Sequence, residues 1–135
     1  MNSTTLWIAQ TIASAFLGVL FLQSGLDKVL DWKGNREYIT GYFAKTPLRM
    51  FTAPMFVSIT ILEVLTGVLS AAGSVTVLLT QRPNVAFLGA VLAGLTILGL
   101  FFGQRVAKDY AAAAGMVPYA VYSLLAIVLL GFRGF

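Results

Sequence analysis

Four stretches of this chain are apolar over the length of a bilayer: Leu6 to about Leu30, about Pro54 to Gly73, Val85 to Gly103, and about Ala111 to Phe132. A helix rises about 1.5 Å per residue, so each run can cross a hydrocarbon core of about 30 Å. Lipid offers no partner to a backbone N–H or C=O, which leaves helices as the solution for isolated runs of this length. The reading is therefore all-α: residues 1–135 form a single transmembrane domain, an integral membrane four-helix bundle. Composition agrees, since 59% of residues are hydrophobic and 10% charged, where a soluble protein carries about 25% charged. A soluble domain of this size has no interior large enough to hide that surface. No Lys or Arg precedes the first run, which continues well past Ala13, Ser14 and Ala15. It reads as a retained helix and not as a cleaved signal peptide.

Small residues recur at four-residue spacing within the runs, as Ser14 with Gly18, Ala86 with Ala90 and Gly94, and Ala111 with Gly115. Such positions permit close approach of helices in lipid. Pro54 is accommodated near a helix start, and Pro118 either sits near the start of the fourth helix or kinks it.

The connection from Asp31 to Ala53 carries most of the charge. Within it Asn35 can cap a short helix with Tyr38, Ile39, Tyr42 and Phe43 on one face, Arg36, Glu37 and Lys45 opposite, and Pro47 at its end. That amphipathic pattern predicts a short interfacial helix between helices one and two, serving as a cover over the helix ends or as a lid over a ligand. Trp32, Tyr38, Tyr42 and Tyr110 read first as interface anchors and second as walls of a ring-binding pocket.

Cysteine and histidine are both absent. Haem and iron-sulfur ligation, zinc and copper binding by their usual ligands, and thiol chemistry are excluded. No glycine-rich phosphate loop, Walker lysine or nucleophile elbow occurs. The net charge of +4 does not point to nucleic acid, because the basic residues sit at the ends of apolar runs and not on a soluble face. The chain is expected not to be catalytic by itself, and redox chemistry would reside on a bound organic molecule or another subunit.

Glu63 lies near the middle of the second run, within Ile59-Thr60-Ile61-Leu62-Glu63-Val64-Leu65. A carboxylate there must be protonated, paired or facing a polar cavity. Antiparallel neighbours bring the end of helix one, the start of helix two, the end of helix three and the start of helix four to one membrane face. Asp27, Lys28, Asp31, Glu63, Gln104, Arg105 and Asp109 therefore form the candidate polar or ligand cluster. The axial gap between Lys28 and Glu63 is about 10 Å by helix rise, within reach of two extended side chains or a bridging ligand. Lys28 with Asp31 and Arg105 with Asp109 are also spaced for local ion pairs.

The run Phe21-Leu22-Gln23-Ser24-Gly25-Leu26-Asp27-Lys28-Val29-Leu30-Asp31 resembles the first-helix signature of the DoxX family. Glu63 with Leu65-Thr66-Gly67, and Gly103-Gln104-Arg105-Val106-Ala107-Lys108-Asp109-Tyr110, are similar to further segments of that family. The resemblance implies a multi-pass protein of the bacterial cytoplasmic membrane. Through family members that are membrane subunits of thiosulfate:quinone oxidoreductases, it also implies a link to quinones. Lys28, Glu63 and Arg105 occupy the matching polar positions. The expected role is a non-catalytic accessory or membrane subunit of a larger assembly, with a quinone or lipid site and no covalent cofactor. Its expected partners are the bilayer and other membrane subunits or further copies of itself. The alternatives are a small-solute or proton transporter working as a homo-oligomer, and a purely structural subunit.

Orientation follows from the basic residues. Lys28, Lys33, Arg36, Lys45, Arg49, Arg105 and Lys108 gather at one face, and Arg82 and Arg133 at the other. The richer face belongs in the cytoplasm, which leaves both termini outside it. A C-terminal alkaline phosphatase fusion is expected to be active and a cytoplasmic-type fluorescent fusion at the same point dark; the reverse pair of results overturns the assignment.

Overall fold

The computed structural model describes residues 2–132, so Arg133 lies outside the described residues. Five helices follow one another: α1 (Ser3–Leu30), α2 (Trp32–Tyr42), α3 (Thr52–Thr80), α4 (Asn84–Val106) and α5 (Tyr110–Gly131), with a 3-10 turn at Arg49–Phe51 leading into α3. The four long helices, α1, α3, α4 and α5, are apolar and long enough to cross a membrane. The chain is a multi-pass helical membrane protein, and α2 is the short helix between the first two spans.

Local chemistry sets the boundaries. Asn2 starts α1 by accepting the Thr5 N–H at 2.9 Å, which satisfies a donor that a helix leaves free. Asp31 closes α1 and opens α2 at once. Its N–H donates to the Asp27 carbonyl, and its carboxylate accepts from the Gly34 N–H at 3.3 Å. Asn35, expected to cap α2, is instead inside it and donates to the Asp31 carbonyl at 2.8 Å. The chain turns within one residue of α1, so the cap falls four positions earlier than the loop length suggested. At the other end α2 stops at Tyr42, before Pro47, and Phe43 turns inward to become buried beside Gly103.

α3 continues to Thr80, beyond the Gly73 at which the apolar run was expected to end. Gly73 is not a stop signal but a contact, since a Cβ there would collide with the backbone of Ala86 in α4. The helix ends where Gln81 takes a left-handed conformation, φ 58°, and Pro83 follows. Pro118 lies inside α5 and not at its start.

The helices pack in the order α1, α3, α4, α5. Between lipid and protein there is no hydrophobic gradient to exploit, so association rests on close contact and interhelical hydrogen bonds. Both are present along α1 and α3. Ser14 Oγ donates to the Ser70 carbonyl at 2.6 Å, Ser74 Oγ to the Thr11 carbonyl at 2.8 Å, and Trp7 Nε1 to the Val77 carbonyl at 2.9 Å. A Cβ on Gly67 would meet Leu22 N at 2.6 Å. α5 returns to α1 only toward the far end, where Gln10 Nε2 donates to the Leu129 carbonyl at 3.0 Å and Tyr122 Oη to the Ala13 carbonyl at 2.9 Å. The core is correspondingly fine-grained: Ala86, Ala90, Ala93 and Ala126 fill it together with Leu17, Phe21 and Ile97. Larger apolar side chains such as Val19, Leu98 and Val128 point outward.

The spacing of Ala111 and Gly115 does not mark a contact within the bundle. Ala111 is exposed, and a Cβ on Gly115 would meet nothing within 4 Å. The two glycines thus make opposite predictions. Gly67→Ala is expected to lose about 1–3 kcal/mol by overpacking, and Gly115→Ala to be neutral or stabilising by about 0.5–1 kcal/mol through helix propensity. Thermal unfolding in detergent checks both, and equal effects would remove the packing account.

Candidate functional site

Lys28, in the last turn of α1, turns inward and meets Glu63 of α3, Nζ to Oε2 at 3.0 Å. Glu63 is 1% exposed, and the Lys28 side chain 17%. The two extended side chains close the axial gap directly. The pair neutralises itself in a region where either charge alone would be strongly destabilising. Glu63 continues a polar stripe on the inner face of α3, formed by Thr60, Thr66 and Ser70 and faced by the buried Thr96 of α4. Thr60 and Thr96 satisfy their hydroxyls on carbonyls one turn back, at 2.8 and 2.7 Å. Thr66 Oγ1 is buried without a partner among the described residues.

The two local ion pairs expected from spacing do not form. Asp31 is outside α1 and spends its carboxylate on the start of α2. α4 ends at Val106, and Lys108 adopts a left-handed φ of 59°, so Arg105 and Asp109 never share one helix. Asp109 instead caps α5, its Oδ1 accepting from Ala112 N at 3.2 Å, while its Oδ2 accepts from Tyr42 Oη at 2.8 Å. Arg105 lies over the Tyr110 ring, 4.6 Å from its centre, a cation–π contact. Asp27 is exposed and contributes its backbone carbonyl to the start of α2.

A cavity of about 750 Å³ lies between α2, the start of α3 and the end of α4. Its walls are mostly apolar, with Ile39, Phe56 and Leu100 among them, and Lys28, Gln104 and Asp109 bring polar atoms to its surface. Glu63 stands behind Lys28. The structure therefore brings four of the seven candidate residues to the cavity or directly behind it, and leaves Asp27, Asp31 and Arg105 outside its lining. Gln104 Oε1 is buried and has no partner among the described residues, an arrangement that a carbonyl oxygen tolerates poorly unless something donates to it.

The sequence offers α2 as a cover or a lid, with Tyr38 and Tyr42 as anchors first and pocket walls second; what it does not reveal is the hydrogen bond from Tyr42 to Asp109. Tyr38, Ile39 and Tyr42 line the cavity, and the bond from Tyr42 to Asp109 fastens α2 to α5. The apolar face of α2 was the available signal, although it reads equally well as an anchor. Burial first, and then the hydrogen bond to Asp109 and the charge of its carboxylate, push the Tyr42 phenol up from 10.0 to about 12. Only the protonated phenol donates. The fastening is complete below pH 10 and fades as the pH rises through about 12. Among the described residues no group of three or more Asp or Glu is placed to hold a metal ion; what the cavity offers is hydrogen bonding to an uncharged or amphiphilic molecule.

No family model, curated protein or solved structure matches this chain.

The ion pair carries a direct prediction. Glu63→Leu strands a largely buried ammonium and is expected to cost about 3–5 kcal/mol. Combining it with Lys28→Met removes the stranded charge and is expected to restore much of that loss, the coupling being read by a double-mutant cycle of thermal stability in detergent. A Leu variant as stable as wild type would mean that the pair holds nothing.

Proposed function

We propose that this protein is a non-catalytic membrane subunit that holds the polar end of a quinone or related amphiphile in the cavity beneath α2. The observation that carries the reading is the mostly apolar cavity whose lining includes Lys28 and Gln104, the Gln104 Oε1 being buried without a partner among the described residues. A volume of about 750 Å³ falls in the usual range for small-molecule sites, roughly 300–1,000 Å³, and such sites combine apolar walls with a few polar groups. Because Glu63 already balances Lys28, the cavity suits a neutral oxygen-bearing head better than a phosphate. A Lys ammonium has three donors, of which Glu63 takes one, so donors remain for a ligand carbonyl. The Gln104 oxygen accepts from a hydroxyl, which matches a ring that alternates between carbonyl and hydroxyl forms.

The DoxX resemblance bears on the same reading through two of its three matching polar positions: Lys28 lines the cavity and Glu63 pairs with it, whereas Arg105 lies over Tyr110 outside the lining. Without Cys or His the chain has no side chain suited to reversible electron transfer. Its part is to bind and orient, and electrons belong to a partner subunit. A bacterial cytoplasmic membrane, with the α2 face in the cytoplasm, accords with the basic residues clustered there.

A second reading, proton or small-solute transport with Glu63 as the titrating group, is favoured by the buried hydroxyls of Thr60, Thr66, Ser70 and Thr96 around it. Glu63→Gln separates the two. Gln keeps an acceptor for Lys28 but not its countercharge, so the variant is expected to be less stable than wild type; in the protein that remains folded, a binding role predicts retained ligand and transport predicts lost flux.

Binding can be read with a short-chain ubiquinone and the fluorescence of Trp32, which packs edge-on against Phe56 of the cavity wall at 4.5 Å, in a Trp7→Phe background. Saturable quenching is expected, weakened on the order of tenfold by Gln104→Leu, as for loss of one hydrogen bond to a buried group. Absence of saturable quenching, together with purified protein whose lipid extract contains no quinone, would overturn the proposal.

A further inference from the structure

The side of α2 turned away from the cavity has its own character. Helical spacing aligns Trp32, Lys33, Arg36, Glu37 and Thr40 in one stripe, and a shallow groove of about 450 Å³ runs among them. Lys33 and Arg36 are exposed, and neither takes part in an ion pair among the described residues. Glu37 stands four positions from Lys33, a spacing suited to pairing, yet makes no bridge to it. The groove therefore presents two free cations against one carboxylate. The surroundings reinforce this: Lys45, Arg49, Arg105 and Lys108 lie at the same end of the bundle, against the exposed Asp27 and the helix-capping Asp31 and Asp109.

Position supplies the second argument. α2 lies between the end of one span and the start of the next, where a chain crossing a bilayer meets the head groups, and Trp32 is braced on Phe56 near the start of α3. Directly before α2, Leu26, Val29 and Leu30 are exposed on the last turns of α1. An apolar surface thus leads from the groove toward the centre of the bilayer.

We infer that the outer face of α2 is a binding site for the phosphate of an anionic phospholipid. Arg36 offers the planar fork that matches phosphate oxygens and Lys33 a second, compact charge. The lipid chains lie along the exposed end of α1. A free phosphate would gain only the head-group contacts. The inference is independent of what fills the cavity on the other side of α2.

The test uses the full chain in mild detergent and native mass spectrometry, titrating phosphatidylglycerol against phosphatidylcholine with the same acyl chains. Wild type is expected to retain phosphatidylglycerol preferentially. Lys33→Gln/Arg36→Gln should weaken that retention on the order of tenfold or more, as for loss of charge-assisted contacts to the phosphate, with helicity by circular dichroism unchanged. Lys45→Gln/Arg49→Gln removes the same charge from the same membrane face and should leave retention largely intact. Equal retention of the two lipids, an equal loss in the control pair, or displacement of the lipid by inorganic phosphate would each overturn the site: the first shows no charge selection, the second a diffuse attraction, and the third a simple anion site.

Discussion

The absence of water from the bilayer interior decides most of this structure. In water a core is built by expelling apolar surface, but here apolar side chains lose nothing by facing lipid. What remains to hold four helices together is contact at short range. The chain answers with alanine, glycine, serine and threonine at many inward positions, interleaved with Leu17, Phe21, Phe56, Ile97 and Leu130, and turns many other large apolar residues outward. Close approach then allows serine hydroxyls on one helix to reach carbonyls on the next, as Ser14 and Ser74 do between α1 and α3. Those bonds fix axial register, and register determines everything built at the end of the bundle.

The Lys28–Glu63 pair shows the dependence. Sliding α1 along α3 by one helical turn, about 5.4 Å, would carry the ammonium away from the carboxylate and leave two charges unpaired at low dielectric. The seam of small residues is thus what makes a buried carboxylate tolerable. The pair in turn keeps a hydrogen-bond donor at the wall of the cavity without giving the cavity a net positive charge.

How far the sequence could be read depended on whether an element declared itself locally. The four spans did, because apolar length is a property of single segments, and so did the oddity of Glu63. The end of α3 was misplaced because the apolar run was bounded at about Gly73, and only the position of Ala86 on another helix shows that this glycine is a contact. The Arg105 and Asp109 pairing failed for a similar reason. Spacing predicts a pair only along an unbroken helix, and the left-handed turn at Lys108 carries no obvious mark in the sequence. The cavity is a tertiary object, bounded by residues from Lys28 to Ala112. No single segment announced it, although its polar groups at Lys28, Gln104 and Asp109 were already among the candidates.

Asp31 forms the joint between the first span and the surface helix. It is the single residue between α1 and α2, and it is bonded in both directions: its N–H back to Asp27, its carboxylate forward to Gly34, and its carbonyl to the backbone and side chain of Asn35. A joint tied this way transmits torque as a bent rod does, whereas a free hinge would absorb it. Lifting α2 away from the bundle therefore strains the final turn of α1, and Lys28 stands in that turn. The same joint that sets the course of the surface helix thus bounds the turn from which the ammonium reaches Glu63, three residues upstream.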